Sequence, residues 1–228
     1  MVDDTRAYQE LRVGFTAAVS HELRTPLARL LALLDTAALP GADSDTLLAQ
    51  AREEVEEMRE LVDDVLFLSE LESGREVVAL GSTPALPVLE EVRERLEDSA
   101  ERADVALRVE ADPEVRLPLR RRMLQIVGEN LAENAIRYAG PGSTFTLSAL
   151  PKELVASDDG RGVEPAELGR VFERFYRGDR ARASRGTGLG LAIVKHVVVA
   201  AGGEVHVAGA PGHGFTVRCV FGPTREPG

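Results

Sequence analysis

Ser20-His21-Glu22-Leu23-Arg24-Thr25-Pro26-Leu27 is the stretch whose reading decides the fold of the N-terminal third of this chain. Leu23, Leu27, Leu30 and Leu34 recur at +4, +3 and +4, the spacing of a helix that buries one face. At about 100° per residue, His21 lies about 180–240° from every member of that stripe. Its imidazole is therefore predicted to face solvent, with Glu22 beside it and Thr25 one turn along on the same side. An exposed imidazole next to a carboxylate can act as a nucleophile at neutral pH.

The helical pattern extends in both directions. Tyr8, Leu11, Phe15 and Ala18 continue it upstream, so one long helix is expected over 5–38, bent at Pro26 where a backbone hydrogen bond is lost. The run 39–44, Leu-Pro-Gly-Ala-Asp-Ser, is a turn with Asp43 or Ser44 as the next N-cap. A second helix to about residue 72 carries Leu48, Ala51, Val55, Met58, Val62 and Val65 as a 3/4 seam. This hairpin's apolar stripe is too broad for one partner helix. A four-helix bundle built from two chains would cover it, which predicts a homodimer.

Ser73-Gly74 ends that helix and Gly81-Ser82-Thr83-Pro84 reads as a linker, which sets expected domains at 1–80 and 81–228. The second domain alternates helices, expected over 87–102, 119–138 and 190–201, with strands over 105–109, 144–150, 153–157, 204–208 and 215–221. Gly202-Gly203 is a C-cap signal. No βαβ rhythm is evident, so the expected class is α+β: a helical hairpin followed by an α/β sandwich with its helices on one face.

Bulk properties narrow the function. The net charge of −11 argues against a general nucleic-acid binder. Residues 1–80 hold 17 Asp/Glu against 7 Arg, whereas the remainder holds 21 acidic and 20 basic residues. No apolar run reaches the ~18–20 residues of a membrane helix. Met1 is followed by Val-Asp-Asp rather than a basic and then apolar leader. Cys219 is the only cysteine, which excludes an internal disulfide, and the chain as given reads as cytosolic.

Four further constellations carry chemistry. Asn130 and Asn134, at i and i+4, share one face of a helix, and an amide oxygen suits a magnesium ion held largely by water and phosphate. Asp158-Asp159-Gly160-Arg161-Gly162 follows a strand, where a carboxylate can accept from an adenine amino group and glycines admit a flat ring. Phe172-Glu173-Arg174-Phe175-Tyr176-Arg177 is an aromatic and basic segment. Gly186-Thr187-Gly188-Leu189-Gly190-Leu191 opens a helix, and glycine-rich backbone at a helix N-terminus is a phosphate site. It lacks the Gly-Lys-Ser/Thr ending of a P-loop and does not follow a strand as a dinucleotide fingerprint does.

From about Tyr8 to Gly222 these motifs, in this order, resemble the catalytic core of a bacterial two-component sensor histidine kinase. Residues 20–27 match the family's H box, 130–135 its N box, 158–162 its G1 box, 172–177 its F box and 186–190 its G2 box. The resemblance implies that His21 takes a phosphoryl group from ATP on Nε2, while Glu22 fixes the ring tautomer. Thr25 would position water for dephosphorylating a partner. Asn134 would hold Mg²⁺ with Asn130 in support, and Asp158 would bind adenine. Gly160, Gly162, Gly186, Thr187, Gly188, Leu189 and Gly190 would shape the pocket, with Arg177 and Arg182 or Arg185 toward the phosphates. It also implies a homodimer, a response-regulator receiver domain as partner, and a chain forming the cytoplasmic part of a membrane receptor, with a complete soluble kinase signalled by a partner protein as the alternative. Asp159 and Arg161 depart from the family's usual asparagine and frequent proline. Chaperone-, mismatch-repair- and topoisomerase-type ATPases share the ATP domain but lack the H box and commonly place glutamate where Asn130 stands.

Overall fold

The computed structural model describes residues 2–72, 81–178 and 186–222, with side chains at 18–71, 81–178 and 186–222. The chain divides into two compact units, Met1–Phe67 and Leu68–Gly228.

The first unit is a helical hairpin of α1 (Val2–Ala37) and most of α2 (Ser44–Glu72). Helix α1 continues through Pro26. Proline has no N–H to give, so the Glu22 carbonyl one turn back lacks its helical partner. Asp43 caps α2. Its Oδ1 accepts from the Thr46 N–H at 3.3 Å and its Oδ2 from the Thr46 hydroxyl at 2.6 Å. Those bonds hold the Asp43 carboxyl below its ordinary range.

The leucine stripe expected to be buried is only partly covered within one chain, with Leu23 and Leu30 half-buried. Leu27 and Leu34 are 48% and 44% exposed, and Leu31 is 55% exposed. On α2, Leu48, Val55, Val62 and Leu66 are exposed as well, while Ala51 and Leu61 are buried. A hairpin has only one neighbour for each helix, so a stripe this wide leaves its outer edge in water.

The second unit contains β1 (Thr83–Pro84), α3 (Ala85–Ala103), β2 (Val105–Ala111), β3 (Arg116–Leu117), α4 (Arg121–Tyr138), β4 (Ser143–Leu150), β5 (Glu153–Asp158), α5 (Pro165–Leu168), α6 (Gly190–Ala200), β6 (Gly203–Gly209) and β7 (Phe215–Phe221). Strands β1 and β3 form a small antiparallel pair, and the main sheet runs β2-β4-β5-β7-β6. Register places Val109, Leu147, Ala156, Val217 and Val207 in one cross-strand row. Such rows alternate with polar ones, as a sheet covered on one side requires. Helices α3, α4 and α6 cover the apolar side. The other side shows pairs such as Arg218 with Glu153 at 2.7 Å and Ser157 with Thr216 at 2.9 Å. Cys219 lies wholly inside, and burial pushes its thiol up to about 12.

The pairing of β2 with β4 is parallel, with α4 in the connection between them. The chain therefore contains one parallel crossover that the sequence pattern did not suggest. The two-residue β3 interposed before α4 hides the strand–helix–strand rhythm.

Candidate functional site

In the hairpin unit, His21 sits on α1 with its side chain 74% exposed. Its Nδ1 stands 3.5 Å from Glu22 Oε1, an arrangement that orients the ring and leaves Nε2 on the opposite side. The Thr25 hydroxyl lies 3.5 Å from the His21 carbonyl oxygen, one helical turn along the same face. The outward imidazole, the adjacent carboxylate and the hydroxyl are placed as the helical spacing predicted.

In the second unit, α4 supplies one wall of a cleft. Asn130 Nδ2 donates to the Ile126 carbonyl at 2.9 Å, which turns its Oδ1 toward α6. A Cβ at Gly190 would lie 2.6 Å from that oxygen, so any larger residue there would displace the Asn130 amide. Asn134 is half-buried one turn further on. Among the described residues no cluster of three His, Cys, Asp or Glu could hold a metal. The donor set here is amide oxygen. It fits a magnesium ion that keeps most of its shell as water and nucleotide phosphate.

Two residues absent from the sequence reading belong to this wall. A Cβ at Gly186 would stand 3.2 Å from the Tyr138 hydroxyl and 3.3 Å from Arg137 Nη1. Arg137 is three residues past Asn134 and seven past Asn130. The i, i+4, i+7 spacing that selected the asparagines contains the signal for a cation on the same face. Arg137 also lies 3.5 Å from Glu133.

Strand β5 and the loop after it form the opposite end. Leu154, Ala156 and Asp158 alternate onto the helix-covered side of the sheet, so Asp158 enters the layer between sheet and helices. Burial raises the Asp158 carboxyl above its ordinary range. The Gly160 N–H, donating to its Oδ1 at 2.9 Å, and the Phe215 N–H oppose that shift. A Cβ at Gly160 would come within 2.3 Å of the Ala139 carbonyl oxygen, so the loop passes directly against the end of α4. Gly162 is equally confined, by the Ala210 carbonyl.

Both family departures have structural uses. Asp159 Oδ1 accepts from the Thr144 N–H at 2.6 Å, extending the β4–β5 ladder by a side chain. The Arg161 N–H donates to the Ala139 carbonyl at 2.9 Å, and its guanidinium covers Gly140.

The glycine-rich turn into α6 completes the cleft. Gly188 has φ +69°, and its carbonyl accepts from the Phe175 N–H at 3.0 Å. The Thr187 hydroxyl accepts from the Leu189 N–H at 3.2 Å, and both residues are buried. The first turn of α6, where helix geometry leaves N–H groups without intrahelical partners, is suited to an anion. Arg177 is half-buried near this turn, whereas Arg182 and Arg185 lie outside the described residues. The combination of a carboxylate at one end, an amide and guanidinium wall, and a glycine-lined helix start at the other suits a purine nucleotide with a phosphate chain.

Comparison with known proteins agrees with both units. Residues 11–74 match the family model "His Kinase A (phospho-acceptor) domain", and residues 120–225 match "Histidine kinase-, DNA gyrase B-, and HSP90-like ATPase". The chain is 33% identical over 222 residues to the sensor-like histidine kinase SenX3 of Mycobacterium tuberculosis, an alignment covering 93% of this chain and 54% of SenX3. It thus spans about half the length of the curated relatives it matches. The solved Acinetobacter baumannii histidine kinase AdeS has TM-score 0.70 at 25% identity, covering 89% of this chain and 98% of that one. Histidine kinase ThkA, solved in complex with response regulator protein TrrA, has TM-score 0.74 at 20% identity, covering 97% of this chain and 65% of that one, and shares the fold.

Proposed function

We infer the working of this chain from the premise that it belongs to the two-component sensor histidine kinases, whose phospho-acceptor and ATP-binding domains it carries in order. We assign 1–80 to a signalling helix with the phosphotransfer hairpin and 81–228 to the ATP-binding domain. The proposed activity is ATP-dependent phosphorylation of His21, followed by transfer to an aspartate of a response regulator. The observation that carries it is the exposed His21 ring, held through Nδ1 by Glu22 at 3.5 Å.

In this reading the nucleotide places its adenine amino group on Asp158 and its phosphates toward Asn130, Asn134, Arg137, Arg177 and the start of α6. The Asn134 amide oxygen would help hold Mg²⁺, which supplies charge neutralisation on the phosphates when bound. The Nε2 lone pair of His21 forms a bond to the γ-phosphorus as the bond to the β,γ-bridging oxygen breaks, and ADP leaves with that electron pair. The imidazolium that results keeps its proton on Nδ1, where the Glu22 carboxylate stabilises it. Catalysis rests on positioning and electrostatics, as phosphoryl transfer generally does. A receiver-domain aspartate then takes the phosphoryl group from nitrogen to oxygen. The Thr25 hydroxyl, on the same face, orients water for the reverse duty of hydrolysing the regulator's acyl phosphate.

A homodimer is part of the proposal. The uncovered leucines of the hairpin support it, because a second copy brings the same stripe. The reading also takes this chain as the cytoplasmic part of a membrane-bound receptor. Among the described residues no helix is long and apolar enough to cross a membrane.

Incubation with γ-labelled ATP and Mg²⁺ tests the reading. Acid-labile, base-stable label is expected on the chain, and none on His21→Gln. Label retained by that variant would assign the acceptor elsewhere.

A further inference from the structure

Beyond the groups that face the nucleotide, the segment leading into Arg177 is held unusually firmly. Phe175 has φ +61°, a left-handed conformation that a bulky residue adopts only where its surroundings impose it. The surroundings here are specific. The Phe175 N–H is tied to the Gly188 carbonyl at 3.0 Å, and the Tyr176 N–H to the Glu173 carbonyl at 3.2 Å. The Tyr176 ring lies under the Arg170 guanidinium, 4.3 Å from its centroid, and Arg170 is itself paired with Glu173 at 3.1 Å. The Tyr176 hydroxyl donates to Glu167 Oε1 at 3.3 Å.

Glu167 also reaches past Arg177. A Cβ at Gly178 would lie 2.5 Å from Glu167 Oε1, so the same carboxylate touches the residues on both sides of Arg177. The carbonyl joining Tyr176 to Arg177 lies against Gly188, 3.1 Å from where a Cβ would be. The backbone of Arg177 is thereby fixed between α5 and the glycine-rich start of α6.

We propose that Glu167 is a positioning residue for Arg177, acting through the Tyr176 hydroxyl. This rests on the kinase reading, in which Arg177 serves the phosphate end of the cleft. The Glu167 carboxylate meets Tyr176 and Gly178. It sets the point from which the guanidinium reaches.

The test uses the whole chain, with labelling rates at saturating Mg-ATP and nucleotide affinity by calorimetry. Removing only the hydroxyl with Tyr176→Phe, or only the carboxylate with Glu167→Ala, should slow labelling about tenfold while leaving affinity within about threefold, because misplacement by a fraction of an ångström acts on rate. In an Arg177→Ala background neither change should slow it further. Parent-like labelling by Tyr176→Phe, or an additional loss in the Arg177→Ala background, would overturn the proposal while leaving the kinase reading intact. A parent chain that takes no label would overturn both.

Discussion

Asp158 stands directly opposite Phe145 across the β4–β5 pair, on the side of the sheet where the strands place their core residues. A carboxylate thus occupies a position that alternation reserves for an apolar side chain, and burial raises its proton affinity. Adenine's amino group donates more strongly to the ionised form. Nucleotide affinity should therefore fall as pH drops toward the ordinary aspartate value of about 3.9, the fall setting in above it because the carboxyl is raised. The effect on stability has the opposite sign: a carboxyl whose folded-state pKa is raised favours the fold more as it protonates. Calorimetry across that range should show weakening binding accompanied by proton release. Asp158→Asn should bind weakly with no pH dependence from this group, and an unaltered pH profile would remove Asp158 from the site.

Gly160→Ala tests the close approach of loop and helix. The added carbon would meet the Ala139 backbone carbonyl at 2.3 Å, and neither partner is a flexible side chain. Overpacking of this kind costs about 1–3 kcal/mol. The expected result is a melting temperature lower by about 2–12 °C together with weaker nucleotide binding. A variant that melts and binds like the parent would show that the loop can move aside.

Arg137→Ala should separate the phosphate end from the adenine end. A lost charge-assisted hydrogen bond is worth about 1.5–3 kcal/mol, or about 10–100-fold in affinity. ATP binding should weaken by that factor while adenosine binding stays as it is. Equal losses for both ligands would make Arg137 a structural residue of α4.

His196 predicts an acid limit to stability. Burial, and then the nearby Arg174 cation, hold its imidazole below the ordinary range, against a hydrogen bond to the Leu71 backbone that favours protonation. The folded state prefers the neutral ring. The stability this preference gives is complete above the unfolded value of about 6.5 and is lost as pH falls from there through the lower folded-state value. Melting temperature against pH should decline across that window, and His196→Gln should flatten the decline. An identical slope in the variant would shift the cause to other groups.

Much of this was legible in the residues. Helical spacing faced His21 to solvent, and the cap at Asp43 and the glycine turns fell where the chain reverses. What escaped was either too short or non-local. Strands β1 and β3 have two residues each, and α5 has four, below the length at which periodicity exists. The parallel β2–β4 pairing depends on partners 38 residues apart, such as Val105 and Ser143. Arg137 and Tyr138 were missed because cations and aromatics near a helix end have many ordinary uses, and only their nearness to Gly186 singles them out. Leu27 and Leu34 carried the right period for burial, but a period cannot say whether the covering surface belongs to the same chain.

The interior of the sheet also holds a built-in clock. Cys219 is the chain's sole sulfhydryl and is wholly enclosed, with its ionisation shifted to about 12. Alkylating reagents attack the thiolate, so they can modify this molecule only after β7 has come away from its neighbours. The time course of that modification counts openings of the ATP-binding domain directly, and its slowing by added nucleotide measures ligand affinity with no dye, tag or engineered probe.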